Sequence, residues 1–197
     1  MSRSLLFPLT LATALLLGGC DRESGETAQQ EESASAETET LTGELDRSHA
    51  GSEIPAMVVT DTQGIALDLA QLGGTPVLLN LWATWCAPCV VEMPMLDTLA
   101  NETQGELRVI TISQDLQGAE KVAPFFAERE FRHLQSWLDP DSELASHFGG
   151  GGAVLPTTVL YGADGKEIWR MIGGYEWLSD EARALVNEAL EPSAGAA

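Results

Sequence analysis

The chain has 197 residues, of which 44% are hydrophobic, and its ten Lys+Arg face thirty Asp+Glu for a formal charge of −20. That charge opposes binding to nucleic acid or to an anionic membrane surface. Three cysteines are too few for a disulfide-stapled scaffold or a four-thiolate zinc site. No apolar run reaches the roughly 18 residues of an ordinary spanning helix.

The first element is an address. Leu5 to Leu17 is a mostly apolar run preceded by Arg3, too short for a membrane span and the right length for a signal-peptide core. Leu17-Gly18-Gly19-Cys20 closes it and resembles the bacterial lipobox, which implies cleavage after residue 19 and a diacylglycerol on the Cys20 thiol. Acyl chains on one residue anchor stably, because each buried methylene adds about 0.8 kcal/mol. Residues 21–50 are rich in Glu, Ser, Thr, Ala and Gln, with nine acids against Arg22 and Arg47. A segment so poor in large apolar residues cannot offset its ordering entropy, so residues 20–50 are expected to be a lipidated, acidic, disordered tether. The folded domain is expected over 51–192, with a disordered tail at 193–197.

Within the domain, Met57–Thr60 and Ile65–Leu67 flank the turn signal Asp61-Thr62-Gln63-Gly64 and predict a short hairpin. Pro76–Trp82 is a continuous apolar run, as in a strand buried on both faces. Cys86 to about Asn101 predicts a helix, with Val90, Met93, Leu96 and Leu99 at three-residue spacing and a kink at Pro94. Leu107–Ile112 predicts the next strand, Gly118–Glu130 a helix, Gln135–Leu138 a short strand and Ser142–Phe148 a short helix. Thr157–Tyr161 and Glu167–Ile172 predict strands joined through Asp164-Gly165, the strongest hairpin signal in the chain. Leu178–Ala189 predicts a closing amphipathic helix capped by Ser179. A parallel β-α-β unit followed by an antiparallel pair gives an α/β domain with a mixed sheet covered by helices.

The chemistry sits in Trp85-Cys86-Ala87-Pro88-Cys89, at the join of a buried strand and a helix. Two thiols two residues apart in a first helical turn close a disulfide with little backbone movement. The free N–H groups and partial positive charge of a helix N-terminus favour a thiolate, which makes Cys86 the attacking sulfur and Cys89 the resolving one. A metal site lacks further ligands, since His49, His133 and His147 form no pattern with the pair. No metal or cofactor is expected.

Here the chain resembles the thioredoxin superfamily, specifically its membrane-anchored TlpA-like and cytochrome-c-maturation thiol oxidoreductases. Leu79–Pro94 (LNLWATWCAPCVVEMP), Leu155-Pro156-Thr157-Thr158 with the following Ala163-Asp164-Gly165-Lys166, and Gly173-Gly174-Tyr175-Glu176-Trp177 carry the match. The resemblance implies a thioredoxin-like fold with an N-terminal β-hairpin extension, and a protein-disulfide reductase activity. It makes Pro156 a cis-proline facing the disulfide and Leu155 a backbone partner for an extended substrate. Trp85, Ala87 and Pro88 become substrate-contacting residues, and Glu92 a carboxyl that tunes proton transfer. Asn80 stands where cytosolic thioredoxins carry a buried acid. Implied partners are disulfide-containing periplasmic proteins such as apocytochrome c, its maturation proteins or copper-insertion proteins. A membrane thiol donor of the DsbD or CcdA type would recharge the dithiol, with the protein lipid-anchored at the inner membrane and facing the periplasm. Gly149–Gly152 departs from the family pattern and predicts a mobile loop. Disulfide oxidation or isomerisation, thiol peroxidation using Thr84 two positions before Cys86, and copper carriage are the competing readings.

Overall fold

The structure is a computed structural model that describes residues 41–149 and 153–191. The expected signal segment 1–19, the lipidated Cys20, residues 21–40 of the tether, Gly150–Gly152 and the tail 193–197 lie outside the described residues.

Element order is β1 (Thr42–Asp46), β2 (Val58–Asp61), β3 (Ala66–Asp68), β4 (Val77–Trp82), α1 (Ala87–Thr103), β5 (Arg108–Ser113), α2 (Ala119–Arg129), β6 (Trp137–Leu138), α3 (Glu143–Gly149), β7 (Thr157–Tyr161), β8 (Glu167–Tyr175) and α4 (Asp180–Leu190). The strands form one sheet in the order β1-β8-β7-β4-β5-β6-β2-β3. β4 runs parallel to β5 and antiparallel to β7, and β7 and β8 form the hairpin turned at Asp164-Gly165. The mixed α/β sheet flanked by helices is therefore the thioredoxin-like architecture expected.

All six residues of β4 are buried, which explains its unbroken apolar run: its alternating side chains fill two cores. On one face Leu78 and Trp82 pack with Met93, Leu96, Trp169 and Trp177 beneath α1 and α4. On the other, Leu79 and Leu81 pack with Leu69, Ile112, Leu144 and Tyr161. Ser179 caps α4 by accepting from the Ala182 N–H at 3.0 Å, a contact typically worth about 1 kcal/mol. Pro94 lies inside α1, where it removes one helical donor.

Three departures from expectation bear on the sheet. The predicted N-terminal hairpin is β2–β3, and it joins the main sheet because β2 pairs with the two-residue strand β6. β8 extends to Tyr175, three residues beyond the predicted end. The tether does not reach residue 50: Thr42–Asp46 forms β1, antiparallel to β8 from Thr42↔Tyr175 to Asp46↔Arg170. A polar segment orders here because backbone pairing and a two-bond Arg47–Glu188 ion pair (2.7 and 2.8 Å) replace the apolar area it lacks.

Candidate active site

β4 ends at Trp82 and its chain turns at once into α1. Cys86 is the N-cap of that helix, and its amide donates to the Ala83 carbonyl at 3.1 Å to close the turn. Cys86 and Cys89 form a disulfide with Cα atoms 5.3 Å apart. The Cys89 N–H donates to Cys86 Sγ at 3.4 Å. Cys86 keeps slight exposure whereas Cys89 has none. This asymmetry separates an accessible sulfur at the free N–H groups of the helix end from an enclosed partner one step deeper.

Glu92 follows Cys89 by three residues on α1 and is completely buried. Its Oε1 accepts from Asn80 Nδ2 at 2.7 Å, and its Oε2 accepts from Trp177 Nε1 at 3.0 Å and the Tyr175 N–H at 3.2 Å. Burial raises its pKa to about 7 against the lowering pull of those three hydrogen bonds. Asn80, on β4, also donates to Thr158 Oγ1 at 2.9 Å, and its Oδ1 has no hydrogen-bond partner among the described residues. Asn80 is thus a direct partner of Glu92 rather than a silent replacement for an acid.

The Leu155–Pro156 peptide bond is cis. β7 pairs with β4 at Leu81↔Thr157, which brings Pro156 to the sheet end from which the Cys86 turn departs. Leu155 and Trp85 line one groove of about 530 Å³ with Gln114, Leu116, Ser142, Ala145 and Ala153, none of them charged. Trp85, Leu116 and Val154 rank among the large hydrophobics left exposed, at 69%, 71% and 60%. Ala87 and Pro88, between the two cysteines, are exposed and half-buried respectively.

Three contributors lie in the Gly173–Trp177 motif, to which the sequence reading gave no role at the site. Trp177 and Tyr175 reach Glu92 from 85 and 83 residues away. Gly174 lies against the cysteine motif, since a Cβ there would come within 3.1 Å of Pro88 Cβ and 2.6 Å of Leu41 Cδ2. Among the described residues no three His, Cys, Asp or Glu converge to hold a metal ion, and no helix is long and apolar enough to cross a membrane.

Residues 49–185 match the Redoxin family model. The chain belongs to the redoxin family. It is 33% identical over 123 residues to the thiol-disulfide oxidoreductase ResA of Bacillus anthracis, covering 62% of this chain and 69% of that protein. The ResA of Geobacillus kaustophilus is 32% identical over 145 residues, 72% of this chain and 78% of that one. Among solved structures, a thiol:disulfide interchange protein of Chlorobium tepidum superposes with a TM-score of 0.59 at 20% identity, over 72% of this chain and 97% of that one. The pneumococcal exposed lipoprotein thioredoxin of Streptococcus pneumoniae gives 0.55 at 22% identity, over 67% and 98%. These two establish the fold, and the ResA relatives the enzyme class. This redoxin is a TlpA-like thiol-disulfide oxidoreductase of thioredoxin fold.

Proposed function

We propose that this redoxin is a lipid-anchored reductant of protein disulfides on the periplasmic side of the inner membrane, serving cytochrome c maturation or assembly of a cytochrome oxidase copper site. The observation that carries the reading is the pairing of a slightly exposed Cys86 at a helix N-terminus with an enclosed Cys89 one turn above the buried Glu92. In the reduced protein the Cys86 thiolate attacks a partner disulfide. A Cys86–partner S–S bond forms, the partner's own S–S bond breaks, and the departing sulfur takes a proton. Cys89 then gives up its proton and attacks Cys86 Sγ, which reforms the Cys86–Cys89 disulfide and releases the partner with two thiols. Two electrons pass to the partner, and a membrane dithiol of the DsbD or CcdA type restores them.

Glu92 is the group suited to manage the Cys89 proton, because a carboxyl with a pKa of about 7 holds and releases protons near neutral pH. Leu155, preceding the cis bond to Pro156, offers its backbone to an extended partner segment and shares a groove with Trp85, with Ala87 and Pro88 as further contact residues. Thr84 Oγ1 donates to Asp115 at 2.6 Å, which disfavours a peroxidatic arrangement in which that hydroxyl would serve Cys86.

Trapping tests the reading. Cys89→Ser should hold partners as mixed disulfides on Cys86, and Cys86→Ser should hold none; no trapped species with Cys89→Ser contradicts it. Cys20→Ser should move the protein from the membrane fraction to the soluble one, and an unchanged distribution removes the lipid anchor.

A further inference from the structure

The turn between β4 and α1 is tied down at successive points by the segment that follows β5. The Gln114 N–H donates to the Trp82 carbonyl at 2.8 Å. One residue further on, the buried Asp115 carboxylate accepts from the Thr84 N–H at 2.9 Å, from Thr84 Oγ1 at 2.6 Å and from Ser113 Oγ at 2.8 Å. The Ser113 hydroxyl is itself held, accepting from the Asp115 N–H at 3.0 Å. The Asp115 carbonyl accepts from the Gly118 N–H at 2.8 Å, so the clamp is braced against the start of α2. Hydrogen bonds to an ionised carboxylate are about twice as strong as neutral ones, and two of these three end on one residue, Thr84.

We propose that Asp115 is a positioning residue for Cys86: by gripping Thr84 through backbone and side chain together, it fixes the turn that holds Cys86 at the N-cap of α1 and points Trp85 into the open groove. The inference rests on Cys86 being the attacking sulfur. The Cys86 amide is tied to Ala83, the neighbour of Thr84, so freedom at Thr84 is freedom at the sulfur. A misplacement of about 1 Å at a reacting atom can cost on the order of 100-fold in rate. The helix-end N–H groups favour a thiolate only while Cys86 keeps the cap geometry.

Charge and clamping act on the Cys86 thiol in opposite directions. Among the described residues, the buried acids near the turn are Asp115 itself, Glu92 on α1, and Asp139, whose N–H donates to the Ser113 carbonyl at 2.8 Å; the residues lining the groove are uncharged. Removing the Asp115 charge alone lowers the Cys86 thiol pKa, whereas losing the clamp raises it. The experiment uses the whole reduced protein carrying Asp115→Ala, Asp115→Asn or Thr84→Val. It reads the pH dependence of Cys86 alkylation by iodoacetamide and the rate of exchange with oxidised glutathione.

Asp115→Ala should raise the pKa and slow exchange about tenfold or more. Asp115→Asn, whose Oδ1 can still take the Thr84 N–H, should recover most of the rate. Thr84→Val, losing one bond of three, should fall between. A pKa in Asp115→Ala at or below that of the wild type, or an unchanged exchange rate, overturns the proposal. If circular dichroism finds Asp115→Ala unfolded, Thr84→Val decides, and wild-type values in that variant overturn it. A wild-type protein that exchanges with no disulfide removes the oxidoreductase reading instead, and the alkylation profile still tests Asp115.

Discussion

Glu92 sits among three donors and no described acceptor, which suits a carboxylate, yet its burial favours the neutral acid. Its folded pKa of about 7 stands above the ordinary 4.5, so the native state binds this proton more tightly than the unfolded chain does. The resulting stability is fully present below about pH 4.5 and is lost as pH rises through about 7, some 3 kcal/mol in all. Glu92→Gln should abolish that slope. A flip of the Asn80 amide turns its unpartnered Oδ1 toward the new Gln NH₂, so the variant should be more stable than the wild type at pH 8, by up to about 3 kcal/mol. Urea melts at pH 5 and pH 8 check this, and a variant less stable at pH 8 contradicts it. The same substitution should slow resolution by Cys89 by roughly 100-fold at pH 7 if Glu92 carries its proton. Single-turnover release of a mixed disulfide measures that rate. Cys86, Cys89 and the three-residue offset to Glu92 were legible because they depend on local helical spacing. The roles of Trp177, Tyr175 and Asp115 were not, since each reaches the site across 31 or more residues of sequence.

Among the elements, β4 and the β7–β8 hairpin were the most readable, the first by its fully apolar run and the second by Asp164-Gly165. β1 was invisible because TGELD shows no alternation and holds a single large apolar residue, Leu45, which stays exposed; it exists only because β8 presents an edge to it. Its fit is close, since a Cβ on Gly43 would come within 2.9 Å of the Gly173 carbonyl oxygen and the Met171 side chain. Gly174→Ala should cost about 1–3 kcal/mol by crowding Leu41 and Pro88. Gly73→Ala, where the nearest atom to a new Cβ is 4.0 Å away, should be close to neutral. Thermal melts of the two variants compare them directly, and equal losses would mean that the contact with Pro88 carries no strain.

At the scale of the molecule, one sheet gathers the site from four distant stretches: the β4–α1 turn, the end of β5, the start of β7 and the end of β8. The family motifs marked three of these, and only the Ser113–Leu116 segment carried no signal. The charge of −20 has its own consequence. Residues 51–197 hold 21 acids against seven bases, so mutual repulsion opposes the compact state at low ionic strength. Salt screens that repulsion over about 10 Å at 0.1 M and 3 Å at 1 M. The melting temperature should therefore rise between 0.05 and 1 M NaCl, and a fall would mean that the surface ion pairs outweigh the repulsion.

Direction of electron flow is the property on which the proposed role depends, and the redox equilibrium of the Cys86–Cys89 pair against glutathione measures it. Thiol alkylation follows the pair, with Cys86→Ser and Cys89→Ser as controls. A potential below about −220 mV is the predicted result and marks a reductant; a value near −120 mV, typical of a strong oxidant, would make this protein a disulfide donor.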